Sequence, residues 1–217
     1  RYCLLSRGVG DVYKRQERSL AADASVVDPR PLLPACDFSG RWVHNMDASQ
    51  WEPFYSLSKL NSLKRYAVRK GIELSVTTVK QNGSVLTQRH SVVGMTGLET
   101  TDTFGQETIK VTDDSSSQQR QDLKKASSMF GRPLKSISCT RLSQAAEDGQ
   151  GIVQTVKNAI TWLDTLDMFK QTEVMRWELL DDGQAIRITK TATFEGDLPQ
   201  YVTDGTVTSV VVMRRKN

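Results

Sequence analysis

His44 and His90 are the side chains best suited to metal binding or proton transfer, yet neither has a Cys, Asp or Glu at ligand spacing. Each sits alone in a strand-like segment, far from the other in sequence. The cysteines Cys3, Cys36 and Cys139 are equally dispersed, with no pair at metal-ligand spacing. Their odd number and wide separation point to a reducing compartment; a Cys36–Cys139 pair in an oxidising one is the alternative. No nucleophile elbow occurs, and Gly94-Met95-Thr96-Gly97 lacks the Gly-x-x-x-x-Gly-Lys order of a phosphate loop. The expectation is therefore a protein that is not an enzyme and carries no cofactor. A haem-binding barrel with His90 as ligand is kept as an alternative.

Charge narrows the partners. The chain of 217 residues carries a formal net charge of +4. Arg1, Arg7, Lys14 and Arg15 against Asp11 put +3 of it in residues 1–16, leaving +1 for the body. Nucleic-acid binding needs a clustered basic surface, which this body does not display. No run approaches the roughly 18–20 apolar residues of a membrane span. Residues 1–16 resemble the translation of a library adaptor through Asp11-Val12-Tyr13-Lys14-Arg15-Gln16, and are set aside as non-native. Residues 17–36, with Pro29, Pro31 and Pro34, read as a disordered linker, so the domain spans 37–217.

Within that domain the pattern is mostly period two. Gly40–Asn45 is the first strand. A helical region over 49–69 follows, with Ser49 and Glu52 as capping signals, Trp51, Phe54, Leu57, Leu60 and Leu63 on one face, and Gly71 as its stop. Strands are then expected at 72–80 and 85–92, joined by the Asn82-Gly83 turn, and near 99–104 and 106–112. Residues 113–131 read as a polar inserted loop with at most a helical turn near Leu123–Met129. Strands resume at 134–142 and 151–157. Ile160, Leu163, Leu166 and Phe169 recur every third residue, so 158–170 admits a short helix. Strands at 172–180, 184–194 and 206–215 close the series. The fold class is all-β: a ten-stranded antiparallel up-and-down barrel with a helix-turn-helix lid, two short helices within 49–69, between strands one and two.

Three stretches resemble the intracellular lipid-binding proteins, the fatty-acid-binding branch of the lipocalin-like (calycin) barrels. Phe38-Ser39-Gly40-Arg41-Trp42 resembles their opening Phe-x-Gly-x-Trp. Asn82-Gly83-Ser84-Val85-Leu86-Thr87 resembles their Asn-Gly hairpin, and Val174–Gly183 their Val-Arg-Glu-Leu-x-Asp-Gly turn. The resemblance implies a diverged, monomeric, cytoplasmic carrier of a long-chain fatty acid or similar hydrophobic ligand, with transient membrane contact for ligand transfer. It also implies the site residues. Arg176 matches a carboxylate-binding arginine and shares a strand face with Val174, Glu178 and Leu180. Arg215 substitutes for the Arg-x-Tyr pair of the last strand, where Met213 takes the family arginine's place. Trp51, Phe54 and Leu57 line the portal. A filled barrel working as a protein-interaction module through 113–131 is the remaining alternative.

Overall fold

The structure is a computed structural model that describes residues 33–53, 62–92, 98–199 and 205–216. The head, most of the linker, Phe54 and Leu57 lie outside the described residues.

Ten antiparallel strands form one sheet: β1 (Gly40–His44), β2 (Ser75–Asn82), β3 (Val85–Val92), β4 (Leu98–Thr103), β5 (Glu107–Thr112), β6 (Leu134–Ala145), β7 (Ile152–Trp162), β8 (Met168–Leu180), β9 (Ala185–Gly196) and β10 (Gly205–Arg215). Each strand pairs with its sequence neighbours, and β1 pairs with β10, which closes the ring. Among the described strands, the ladder stays open between β4 and β5. The result is a nearly closed up-and-down barrel, the architecture anticipated from the strand pattern.

Turn chemistry sets the register. Asn82 pairs with Val85 across a two-residue turn in which Gly83 adopts φ 55°, a value costly for residues with a Cβ. Near the β6–β7 turn, Gly151 serves a different need: a Cβ there would lie 2.6 Å from the Trp177 carbonyl oxygen. Gly151→Ala should therefore lower stability by about 1–3 kcal/mol, the usual range for overpacking, read as a lower urea midpoint at constant slope. An unchanged midpoint would mean that β8 yields freely at Trp177.

Period-two alternation divides the wall into two faces. Phe38, Trp42, Val79, Leu86, Phe104, Ile152, Trp177, Ile186, Val211 and Met213 point inward and pack together into a closed end. Phe38 meets Trp177 edge-on, with ring centroids 6.3 Å apart. A second inward cluster gathers Ile160, Trp162, Phe169, Ala192, Phe194 and Val207. Residues before Gly40 also belong to the closed end. The Ala35 amide donates to the Gly149 carbonyl (2.7 Å), and Cys36 packs against the first cluster.

Three local expectations are corrected. Residues 158–170 are not helical: β7 and β8 run through them, Ile160 pairs with Phe169 inside, and Leu163 and Leu166 lie exposed in the turn. The threefold spacing there was coincidence between two strands and a turn. The stretch 113–131 holds a full helix, α2 (Ser117–Phe130), capped by the Ser116 hydroxyl on the Gln119 amide and by Gly131 in the left-handed region. Its polar sequence hides the residues that anchor it: among those described, Leu123 is buried in the second cluster and Ala126 packs against it. Finally α1 (Ser62–Glu73) outruns Gly71: the Leu74 amide donates to the Lys70 carbonyl, and the Ser75 hydroxyl donates to the Ile72 carbonyl. No described helix is long and apolar enough to cross a membrane.

Candidate functional site

Between the two apolar clusters the inner face turns polar. From β8 come Gln171 and Glu173, from β9 Lys190, from β7 Asn158 and Gln154, and from β6 Cys139, Arg141 and Ser143. From the other half come His44, Thr77, Gln88, His90 and Asp102. Several of these stay partly accessible although they face inward. His90 is the clearest case. Its surface area is that of an exposed residue, yet burial among protein atoms, and then the Arg141 charge, lower its pKa. Its inward position follows from register: it pairs with Thr77, whose hydroxyl lies 3.0 Å from His90 Nδ1.

Asp102 organises this layer. Its carboxylate accepts from Arg141 Nε and Nη2 (both 3.0 Å), from the Ser143 hydroxyl (2.8 Å) and from Gln154 Nε2 (3.0 Å). Burial would raise its pKa, but the hydrogen bonds from Arg141 and Ser143 outweigh burial and hold the carboxyl below its ordinary value. Arg141 responds in kind: burial works against its charge, and Asp102 more than restores it. Because Asp102 lies on β4 and its partners on β6 and β7, the cluster also ties the two sides of the open seam together. A second inward ion pair joins Lys190 Nζ to Glu173 Oε1 at 2.8 Å, and Gln171 Nε2 donates to the same oxygen.

Five buried polar atoms have no hydrogen-bond partner among the described residues: His44 Nδ1, Trp51 Nε1, Gln88 Nε2, Gln154 Oε1 and Trp177 Nε1. His44, Gln88, Gln154 and Trp177 occupy inward strand positions, and Trp51 packs against the closed-end cluster with its ring 5.9 Å from that of His44. Unpaired buried polar groups cost on the order of 1–3 kcal/mol each, so a polar partner at any of these atoms would be stabilising.

The imidazoles give this surface a pH signature. Burial first, and then the neighbouring His90, push the His44 pKa down to about 4. A group depressed on folding stabilises the fold above its unfolded value and loses that contribution as pH falls towards the folded one. For His44 the window is therefore pH 6.5 down to about 4. Stability should fall by roughly 2 kcal/mol between pH 7 and pH 5 from His44 alone. The depressed His90 adds to the loss, whereas Asp102 acts only at lower pH. Urea titrations of wild type and His44→Gln test this. Equal slopes against pH in the two proteins would remove His44 as the source.

The arginines anticipated from the sequence stand elsewhere. Arg176 is on the outer face, where it pairs with Asp148 and Glu178. The parity of β8 is set by Trp177, 2% exposed, together with Met175 and Leu179; placing Arg176 and Val174 inside would bury a charge and expose the larger apolar set. The expectation of an inward Arg176 is thus corrected. Arg215 has inward parity but sits at the closed end, its guanidinium 4.8 Å over the Trp42 ring and its Nε donating to the Gly183 carbonyl. Met213 fills the position beside it, buried. Of the anticipated portal residues, Trp51 is described; it lines a 290 Å³ cleft with Arg65, Tyr66 and Arg69 of α1, while a 520 Å³ cleft opens between α1 and the end of β1. Sequence reasoning missed Asp102, Arg141, Ser143, Gln88, Gln154, Glu173 and Lys190. A signal existed: Ser138-Cys139-Thr140-Arg141-Leu142-Ser143 is polar on both faces, unusual for a strand whose inner side should be apolar.

An antiparallel ten-stranded barrel with a helix after its first strand is the architecture that the likeness to the intracellular lipid-binding barrels implied; the polar inner layer was not anticipated. No family model and no curated protein matches the chain. Among solved structures, a variant of the REP1-NXSQ fatty acid transporter is 12% identical, with 84% of this chain and 100% of that chain covered and a TM-score of 0.46. Secretory abundant heat soluble protein 4 from Ramazzottius varieornatus is 12% identical over 83% of this chain and 95% of its own, with a TM-score of 0.45. A Schistosoma mansoni fatty acid binding protein in complex with arachidonic acid is 17% identical over 83% and 96%, with a TM-score of 0.43. These likenesses are shallow; the fold stands on the ladder order of the strands.

Proposed function

We propose that this barrel binds a hydrophobic small molecule in its interior and carries it without catalysis. The observation that supports this reading is the polar layer of the inner wall between two apolar clusters, with His44 Nδ1, Gln88 Nε2 and Gln154 Oε1 unpartnered among the described residues. Burial of each methylene contributes about 0.8 kcal/mol, so the apolar body would supply most of the affinity and the polar layer would set orientation. With this reading go the expectations of a monomeric, cytoplasmic carrier without cofactor, and the fatty acid remains its first candidate ligand.

Entry past Trp51 fits the geometry, since its ring touches both the inner cluster and the cleft beneath α1. Trp51→Ala should speed ligand release several-fold in stopped-flow fluorescence while leaving the fold intact. The reading itself is tested by extracting the purified full chain with organic solvent and identifying co-purified lipid by mass spectrometry, alongside saturable quenching of tryptophan fluorescence by added lipids. A folded protein that carries no lipid and shows no saturable quenching with any lipid added would overturn it.

A further inference from the structure

Residues 163–167 lead from β7 into β8, whose first residue is Met168. Leu163, Leu166 and Met168 are 57%, 59% and 46% exposed, while the polar members of the same turn are occupied. Arg132, just past the C-cap of α2, donates Nε to both carboxylate oxygens of Asp164 (3.1 and 2.9 Å) and Nη2 to the Thr165 hydroxyl (3.0 Å). Its Nη1 donates to Asp197 at 2.6 Å, and the guanidinium lies 4.6 Å over the Trp162 ring. The Thr165 hydroxyl also accepts from the Asp167 amide, and the Asp167 carbonyl accepts from the Trp162 amide. The turn is thus held in one form, and in that form three apolar side chains face water.

The backbone of Leu166 is a second, independent observation. Its φ is 63°, in the left-handed region that glycine and asparagine enter readily and a bulky residue rarely does. A leucine there costs stability and gains little burial in return. Single exposed apolar side chains need no explanation, whereas three within six residues of one strained turn point to a contact surface. In this up-and-down barrel the turn stands at the same end as the connections that hold α1 and α2, opposite the end closed around Trp42.

Size and charge define the partner. Three half-exposed side chains fall short of the roughly 800 Å² per partner that a stable protein interface buries. They suit a fluid apolar layer, which a narrow tip can enter. Around the tip, Asp164, Asp167 and Asp197 offset Arg132, Lys135 and Lys170, so no positive field awaits an anionic headgroup. We infer that the β7–β8 turn docks on a lipid surface of no net charge, and that Arg132 is the positioning residue that holds its leucines outward. The inference goes beyond the proposed cargo, since the contact stands whether or not a ligand lies inside.

The experiment measures flotation of the full chain with phosphatidylcholine vesicles at millimolar lipid and high salt, which screens the basic residues of α1. Wild type should float with the vesicles. Leu166→Asn should bind severalfold less while melting at or above the wild-type temperature, because asparagine accepts the left-handed backbone. Leu163→Ser combined with Leu166→Asn should lower the partition coefficient by about tenfold or more, as expected when two inserted apolar side chains are removed. Arg132→Gln should also bind less, although it removes none of the leucines; Leu166→Asn carries the test should that variant unfold. Folded wild type that stays off the vesicles, or wild-type affinity in the double variant, would overturn the inference. So would a loss in Leu63→Ser that Leu166→Asn does not share, which would place the contact on α1. Self-association abolished by Leu166→Asn, without vesicle binding, would overturn it in favour of a second copy. Saturable quenching by lipid probes in a chain that ignores vesicles would sink this contact and leave the binding role standing; vesicle binding without quenching would do the reverse.

Discussion

Asp102→Ala should cost about 3–5 kcal/mol, because it strands the Arg141 charge in a half-buried site and removes the acceptor of Ser143 and Gln154 together. Set against a typical total of roughly 5–15 kcal/mol, that is enough to leave a measurable unfolded fraction at physiological temperature. The location raises the stakes. Asp102 belongs to the last strand before the open seam, and its partners stand on the far side, so the substitution loosens the place where, among the described strands, ladder hydrogen bonds are missing. A melting temperature lower by about 10 °C or more is the expected result for a domain of this size. A paired change, Asp102→Leu with Arg141→Met, should recover much of the loss, because well-packed apolar replacements avoid the desolvation that the ion pair bears. If the single substitution melts within a degree or two of wild type, the network is ornamental and the seam is held by other contacts.

The second large effect belongs to the closed end. Trp42 is 0% exposed, its Nε1 donates to the Phe38 carbonyl (3.1 Å), and its ring lies under the Arg215 guanidinium. Trp42→Ala should cost about 3–5 kcal/mol through the cavity it leaves, with the lost hydrogen bond adding about 1 kcal/mol. Arg215→Ala should cost less than about 1 kcal/mol, since its stacking and its bond to Gly183 are exposed. Lipid affinity should not change in Arg215→Ala, because the guanidinium covers the barrel's closed end and not the polar layer. Guanidine unfolding separates the two variants. Comparable losses in both would mean that the cation, and not the indole, holds this end together.

Periodicity carried the strands well, since alternation is a local property and turn residues such as Asn82-Gly83 impose their own geometry. It failed where one pattern fits two structures. The threefold recurrence from Ile160 to Phe169 is compatible with a helix until the pairing of those two residues across a turn is seen. Polar composition concealed α2, in which Leu123 and Ala126 meet a cluster assembled from five strands. The candidate site was less legible still. Arg176 was placed inward on its match to the arginine that the resemblance implied; alternation groups it with Val174, Glu178 and Leu180 but does not say which of two faces is the inner one. Trp177 decides that by the area it buries.

The order of elements, the tight turns and the apolar content of the wall were written in the sequence, because each depends on neighbours within a few residues. Which polar groups meet inside was decided only by closure of the barrel. Asp102, Arg141, Ser143 and Gln154 come from three strands, and nothing in their spacing along the chain announces that they touch. Shear and register bring them together, and the electrostatic balance of the chamber, which governs what it can hold, exists only after that.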